Sequence, residues 1–531
     1  MSDDAPEYYR FCPGEEHSKL SDAICLGRRR ANFRKCPGCQ FNDDEKGNPT
    51  YAATVVGQRH LATALQENRE EEMIAKVFKA YDVRGTVPEP LTEGVAWRIG
   101  NATAQFLRTA LMGYERSDSE MNRVVVGRDM RKHSPLLSRA LIEGIIATGA
   151  HVVDVGMIDT SQLAFAVNHI KCCGGVQTTA SHNPSNYNGF KICGQKGKPI
   201  GADTGLKEIE RIAVAISRHK VDNVQANIQA VDLSQPYRDF LLRFLKPPRP
   251  LKIVIDASNG MAGRWFPIVF DGVPNLEIIR LNFEHDGEFV HQPNPLVPAN
   301  LDQLRAAVRE HGADFGACFD GDADRCIFVD EQARILGCDL LTALLAVEFL
   351  RDNRGSAVIY DLRSSRVVAE EITKAGGVPK RGRVGHVFMK RMMADNHAVF
   401  GGELSGHFYF RDFWNCDSGL LAFIALVNTL TRTQQPLSAL LDPLNRYSGS
   451  GERNFENDDK SGTLKRLGER YKDGQQDMLD GLTVQYRDWW FNVRASNTEP
   501  LLRLNVEAVT PALLGEKLAE LTPMLGHSVE H

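Results

Sequence analysis

Four short stretches of this chain set side chains that can do chemistry at close spacing. Thr178–Lys191 reads T-T-A-S-H-N-P-S-N-Y-N-G-F-K. Its Ser181 stands in a loop restricted by Asn183-Pro184 and turned again at Asn188-Gly189. His182 adjoins the hydroxyl and Lys191 follows the turn. A hydroxyl held this way can carry a phosphoryl group. Asp320-Gly321-Asp322-Ala323-Asp324-Arg325 sets three carboxylates at alternate positions, hard oxygen ligands that suit Mg²⁺. A calcium loop of the EF-hand type would match Glu331 at its twelfth position, but Arg325 stands where that loop needs glycine and the flanks read as strands. Three carboxylates in so apolar a context repel one another unless a cation joins them.

The third stretch is Gly402-Glu403-Leu404-Ser405-Gly406-His407, between an apolar strand and the aromatic run Phe408-Tyr409-Phe410. Glu403, Ser405 and His407 on one tight loop can read vicinal sugar hydroxyls; taken alone, the same residues could simply cap a hairpin. The fourth is Arg494-Ala495-Ser496-Asn497-Thr498-Glu499-Pro500. It offers a guanidinium, two hydroxyls and an amide around a turn, with Arg503 close behind, and arginine suits bidentate contact with phosphate. Gly385-His386, opening the run F-M-K-R-M-M, and Arg84 are further candidates.

The N-terminus is a separate case. Cys12, Cys25, Cys36 and Cys39 fall within the first 39 residues, with Cys36-Pro37-Gly38-Cys39 as a C-x-x-C knuckle. Four thiolates could bind zinc tetrahedrally. The long gaps between Cys12, Cys25 and Cys36 leave an iron–sulfur cluster open as well. His17 is a weak fifth candidate, and the basic residues between reads best as a solvated face.

At 531 residues the chain exceeds a single core. A net charge of -5 argues against general nucleic-acid binding. The strongest apolar run, Leu340–Leu350, is too short to span a bilayer and contains Glu348. The acidic start M-S-D-D-A-P-E has no apolar h-region, so a signal peptide is not expected there. Scattered single cysteines such as Cys318 and Cys326 suit a reducing cytoplasm, so the expected setting is cytoplasmic.

These loops need elements to hold them. Val124–Gly127 and His151–Val155 read as strands, with a helix from Ser134-Pro135 between them and Ser134 as its N-cap. The rhythm returns as Lys252–Asp256, Gly260–Phe270, Leu276–Leu281, Leu301–His311 and Phe315–Phe319, and again as Ala357–Asp361 and Ser365–Ala375. In each copy a strand is expected to end in a polar loop that opens a helix. The fold class expected is α/β: three related domains with mixed, mostly parallel sheets, then a C-terminal α+β domain, preceded by a small Cys-rich extension. The expected boundaries are 1–72, 73–232, 233–336, 337–447 and 448–531, with a polar linking helix over 61–74 and a hinge in Ser448–Asn457. Ligands bind outside the carboxyl ends of strands in such sheets.

T-A-S-H-N-P, D-G-D-x-D-R, G-E-x-S-G-H and R-x-S-N-T-x-P, in this order, resemble the α-D-phosphohexomutase superfamily. The likeness covers the body from about Phe78 onward, and F-K-A-Y-D-V-R-G and Y-N-G-F-K are similar to the bacterial phosphomannomutase/phosphoglucomutase branch. The resemblance implies an Mg²⁺-dependent mutase interconverting hexose 1- and 6-phosphates through a phosphoserine and a 1,6-bisphosphate, with glucose or mannose 1,6-bisphosphate as activator. It implies phosphoserine at Ser181; Mg²⁺ on Asp320, Asp322, Asp324 and a phosphoserine oxygen; and sugar reading by Glu403 and Ser405. Arg494, Ser496, Asn497 and Thr498 would grip the phosphate that is not reacting. Lys191, Arg325, His386 and His407 would line the transfer site and include the general acid/base, and Gly385-His386 would help choose the epimer. Ala323 replaces a common glycine, and Arg363 stands where relatives often carry lysine. The partner expected is a small phosphosugar, with neither nucleic acid nor membrane, on a monomer or dimer. The alternatives are a phosphoglucosamine mutase, a metal-dependent phosphatase using Ser181, and a binding protein without catalysis.

Overall fold

The computed structural model describes residues 9–11, 19–21, 24–25, 28, 69–109, 122–496 and 501–529. The chain divides into two units, Met1–Glu72 and Met73–His531. In the first, Tyr9–Phe11 and Lys19–Ser21 pair antiparallel, with Arg10 opposite Leu20. Cys25 is buried and its thiol is free. Cys12, Cys36, Cys39 and His17 lie outside the described residues, and with them the expected thiolate site. The linking helix is described from residue 69 and runs to residue 77.

The second unit repeats one sheet plan three times. The first sheet runs His151–Met157, Arg123–Arg128, Gly174–Thr178, Tyr187–Gly194, with Ile228–Ala230 and Val83–Thr86 added at its edges. The second runs Leu276–Leu281, Leu251–Asp256, Phe315–Phe319, Cys326–Asp330. The third runs Val378–Gly382, Ala357–Asp361, Phe400–Gly402, Phe408–Phe410, with Cys416–Asp417 added. In every copy the first three strands are parallel and the fourth is antiparallel. The inner strands are near-continuous apolar runs, such as Val124-Val125-Val126, because helices cover both faces of a parallel sheet.

In each copy a strand ends in a loop that opens a helix, as expected: Arg123–Arg128 before Ser134–Ile146, Leu251–Asp256 before Met261–Phe270, and Ala357–Asp361 before Arg366–Lys374. The chemically loaded loops are other ones: each is the hairpin turn between the third strand and the antiparallel fourth. Phe319 pairs with Cys326, so the whole D-G-D-A-D-R run is turn. Gly402 pairs with Phe408 around the Glu403–His407 loop, and Thr178 with Phe190 around Ser181. A ladder clamps both ends of each loop, which holds it more tightly than a strand-to-helix connection clamped on one side.

Cores divide the unit unevenly. One apolar cluster runs through the first three sheets, joined by aromatic contacts such as Phe240 stacked on Trp414 at 5.3 Å and Phe266 against Phe423 at 5.0 Å. The last sheet has its own core around Phe455, Phe491 and Leu504. It runs Gln475–Asp477, Leu482–Gln485, Trp489–Ala495, Leu501–Ala508, Arg453–Glu456, His527–Val529, and Ser448–Gly449 also pairs with Leu501–Ala508. The stretch Ser448–Asn457, where a hinge is expected, supplies two strands of this sheet, and buried Phe455 anchors it. Ser134 is likewise not an N-cap. It begins the helix Ser134–Ile146, and its hydroxyl donates to Asp129 instead.

Candidate active site

Ser181 is 2% exposed, and its φ of 49° lies in the left-handed region. A residue with a side chain keeps that conformation only where its surroundings impose it. Thr179 Oγ1 accepts from the Ser181 N–H at 3.0 Å. The main restraint is Arg131, whose fully buried guanidinium donates to the carbonyls of Ser181 (2.8 Å), Asn183 (2.6 Å), Pro184 (2.6 Å) and Tyr187 (3.2 Å). Asp129 pairs with Arg131 at 3.2 Å, and the Phe289 ring lies 5.2 Å from its guanidinium carbon. Arg84 donates to the Asn183 side chain at 2.5 Å. The serine loop is thus fixed from beneath by a guanidinium that satisfies four carbonyls at once.

Across from it, the Ser181 hydroxyl donates to Asp320 Oδ2 at 2.7 Å. Carboxylate oxygens of Asp320, Asp322 and Asp324 lie within 4.8 Å of one another, all buried. Gly321 is required here: a Cβ at that position would stand 2.4 Å from the Ser181 carbonyl oxygen. Ala323 has φ 60°, so the residue replacing the family's usual glycine carries a backbone conformation that glycine adopts freely. Burial and the neighbouring Asp322 and Asp324 push Asp320 up to about 8. Asp322 Oδ1 is buried and makes no hydrogen bond. Crowded carboxylates with an unused buried oxygen, beside a serine hydroxyl, fit a hard divalent cation.

Cations and imidazoles surround the cluster. Lys191 Nζ lies 2.8 Å from Asp322 and 2.5 Å from Asp324. Burial works to raise Asp324, but Lys191 and His407 hold it well below the usual carboxylate range. Arg325 Nε is 3.9 Å from Asp320. His182 Nδ1 is 3.4 Å from Ser181 Oγ, and Arg325, with burial, holds its pKa well below the ordinary value. Burial, with Lys390 nearby, lowers His386 to about 3. At His407 burial again opposes charge, but Asp324 and Glu403 raise it to about 9.

The sugar-type loop meets the acidic loop directly. Arg325 and His407 form an antiparallel bridge, and the Cys326 N–H donates to Gly406 O at 3.0 Å. His407 Nε2 lies 3.5 Å from Asp324, and its Nδ1 lies 2.8 Å from Ser405 Oγ and 3.5 Å from Glu403. Glu403 also accepts from Tyr409 at 2.8 Å and from the Gly385 N–H at 3.0 Å. Gly385 has φ 126°, and a Cβ there would press on Tyr81 at 2.9 Å, so the position ahead of His386 requires glycine.

A chain of contacts continues into the last domain. Glu403 lies 3.8 Å from Arg363, which pairs with Asp361 at 2.9 Å and lies 3.6 Å from Glu452. Glu452 pairs with Arg494 at 2.7 Å and Arg503 at 3.2 Å. Ser496 is buried at the end of the Arg494 strand. Asn497 and Thr498 lie outside the described residues. Further polar contacts dock this domain on the third: Arg381 on Asp477, Arg366 Nη1 on Arg487 O at 2.6 Å, and the Val384 N–H on Asp480 at 3.4 Å.

Every described candidate of the body therefore lies on one path from Ser181 to Arg494 or against it. Sequence reading missed Arg131, Lys390, Asp417 and Glu452. Lys390 pairs with Asp417 at 2.7 Å, behind His407. Arg131 stands three residues past the strand Arg123–Arg128 in a run with no motif to mark it.

Three copies of a sheet with a reversed fourth strand, whose hairpin turns meet through Ser181 on Asp320 and Arg325 on His407, carry the loop set of an α-D-phosphohexomutase. The chain belongs to the phosphoglucomutase/phosphomannomutase family: the alpha/beta/alpha domains I, II and III of that family match residues 75–220, 235–334 and 338–447, and its C-terminal domain matches 453–522. A protein of Xanthomonas campestris pv. campestris described as "Phosphohexose mutases" is 38% identical over 460 residues, covering 85% of this chain and 100% of that one. A phosphomannomutase of Vibrio cholerae is 37% identical, covering 84% and 98%. The solved structure of a phosphoglucomutase/phosphomannomutase family protein from Burkholderia thailandensis superposes with a TM-score of 0.76 at 32% identity, covering 84% of this chain and 96% of the other. Among the described residues, no helix is long and apolar enough to cross a membrane.

Proposed function

We propose that this chain is a phosphohexomutase that interconverts hexose 1-phosphates and hexose 6-phosphates, acting on mannose and glucose phosphates. The observation that carries the reading is the Ser181 hydroxyl bonded at 2.7 Å to Asp320, inside the acidic hairpin and joined by continuous contacts to the arginines of the last domain. A mutase needs a reacting pole and a holding pole, and these two ends supply them.

In the forward half-reaction the P–O bond to phosphorylated Ser181 breaks and a P–O bond to the free sugar hydroxyl forms. The hydroxyl's proton passes to a neighbouring base and the departing serine oxygen takes up a proton from a neighbouring acid, leaving a serine alcohol and a sugar 1,6-bisphosphate. After the bisphosphate turns end for end, the serine hydroxyl takes the other phosphoryl group and gives up its proton, while the sugar oxygen that loses the phosphoryl group takes one up. Asp320, Asp322, Asp324 and a phosphoserine oxygen would hold Mg²⁺, which neutralises charge at the transferring group. Lys191 and Arg325 add positive charge at the same pole. Glu403 and Ser405 read sugar hydroxyls, and Tyr409 and Gly385 fix the Glu403 carboxylate for that task. Arg494, Ser496, Asn497, Thr498 and Arg503 grip the distal phosphate. His386, kept neutral by burial, can accept a hydrogen bond from a sugar hydroxyl. The kinship with proteins named phosphomannomutase supports the mannose and glucose assignment.

Phosphorus NMR tests this. Mannose 1-phosphate and glucose 1-phosphate are supplied separately, with Mg²⁺ and a trace of glucose 1,6-bisphosphate. Conversion to the 6-phosphates, lost in Ser181→Ala, is expected. Free inorganic phosphate would instead mark a phosphatase, and turnover of glucosamine phosphates alone would mark the aminosugar mutase.

A further inference from the structure

Glu452 lies between the strands Ser448–Gly449 and Arg453–Glu456, at the start of the last domain. Its Oε2 accepts from Arg494 Nη2 at 2.7 Å and its Oε1 from Arg503 Nη1 at 3.2 Å. Arg494 and Arg503 are direct partners on neighbouring antiparallel strands, so one side of the sheet carries both. Arg363, from the third domain, brings a third guanidinium to 3.6 Å. One carboxylate thus draws together arginines from two domains.

We propose that Glu452 is a displaceable counter-ion of the phosphate clamp, occupying the arginine donors until the phosphate of a phosphosugar takes its place. This rests on the reading of Arg494 and Arg503 as the distal-phosphate grip. Carboxylate and phosphate compete for the same forked N–H donors, because both present two oxygens at a matching spacing. Glu452 is charged and able to compete: burial opposes ionisation, but Arg363 and Arg494 hold its pKa at about 2. Its side chain is 25% exposed, so it has an open side toward which it can withdraw.

A displaceable anion suits a mutase in particular. The bisphosphate must leave the grip, turn and be gripped by its other end. An internal carboxylate that takes back the arginines at each release lowers the cost of letting go. It weakens phosphate binding and speeds turnover together.

The test is calorimetric titration of inorganic phosphate into Mg²⁺-loaded protein, wild type against Glu452→Gln, beside steady-state kinetics. The glutamine variant is expected to bind phosphate about three- to tenfold more tightly. Its KM should fall by a similar factor, with a lower kcat from slower release. Combining it with Arg494→Lys should erase the gain. A Glu452 that merely held the arginines in shape would give the opposite sign, with weaker phosphate binding and a higher KM in Glu452→Gln. That result, unchanged affinity, or a gain that survives Arg494→Lys would each overturn the proposal. Should Glu452→Gln fail to fold, Glu452→Asp, whose carboxylate stops short of the arginines, should show a smaller gain of the same sign, and weaker binding there would overturn it equally. Phosphate affinity is read without turnover. Loss of the mutase reading would therefore appear as wild-type protein that binds phosphate yet isomerises nothing.

Discussion

Gly321→Ala is the smallest change that should part Ser181 from its partners. The added Cβ would stand 2.4 Å from the Ser181 carbonyl oxygen, where carbon and oxygen normally keep about 3.4 Å. One backbone must retreat by roughly 1 Å. The Ser181 side cannot retreat cheaply, because its carbonyl is bonded to Arg131 at 2.8 Å and its hydroxyl to Asp320 at 2.7 Å. Over-packing of this kind costs about 1–3 kcal/mol of stability, and a displacement of about 1 Å at the reacting atoms costs on the order of 100-fold in rate. Urea unfolding reads the first and a coupled assay of glucose 6-phosphate formation at saturating Mg²⁺ reads the second. Gly449→Ala serves as control, since a Cβ there meets nothing within 4 Å. A Gly321→Ala enzyme with wild-type turnover would refute the claim that this contact sets the serine's position.

Other consequences follow from the same geometry. Arg131→Met should lower stability by about 3–5 kcal/mol in urea unfolding, because it leaves Asp129 buried without its cation and takes the guanidinium away from four carbonyls. Chelation of divalent cations should abolish turnover, and adding back Mg²⁺ should both restore it and raise the melting temperature of wild type, an effect that Asp320→Asn should blunt. His291 Nε2 donates to Asp256 Oδ2 at 3.1 Å, and that bond raises its pKa above the ordinary value. Its stabilisation is full below the unfolded value of about 6.5 and fades as pH rises through the higher folded one. The deficit of His291→Gln relative to wild type should therefore be larger at about pH 6 than at about pH 9.

The chemistry of this protein was more legible than its supports. Ser181, the three aspartates and Arg494 announce themselves because each sits in a run of few residues, and a hairpin turn keeps neighbours in sequence neighbours in space. Sheet order broke that link elsewhere. Arg131 stands 50 positions before the serine it supports, and becomes its neighbour only because Arg123–Arg128 lies beside Gly174–Thr178 in the sheet. Glu452 stands 42 and 51 positions before its two arginines and meets them through antiparallel pairing in the last sheet. The strands within Ser448–Asn457 were hidden for a related reason: a polar stretch with one buried phenylalanine reads as a linker until the strand it pairs with is known. Repetition of the α/β plan was visible in the strand–helix rhythm. The reversal of the fourth strand was not, because a short apolar run carries no mark of its direction.

The most direct measurement is a single turnover of the phosphorylated protein. Protein carrying a phosphoryl group on Ser181, confirmed by mass spectrometry of the Thr178–Lys191 peptide, is mixed with excess glucose 1-phosphate and Mg²⁺ and quenched. The account requires one equivalent of glucose 1,6-bisphosphate for each Ser181 dephosphorylated. One equivalent of inorganic phosphate in its place, with the sugar unchanged, would contradict it.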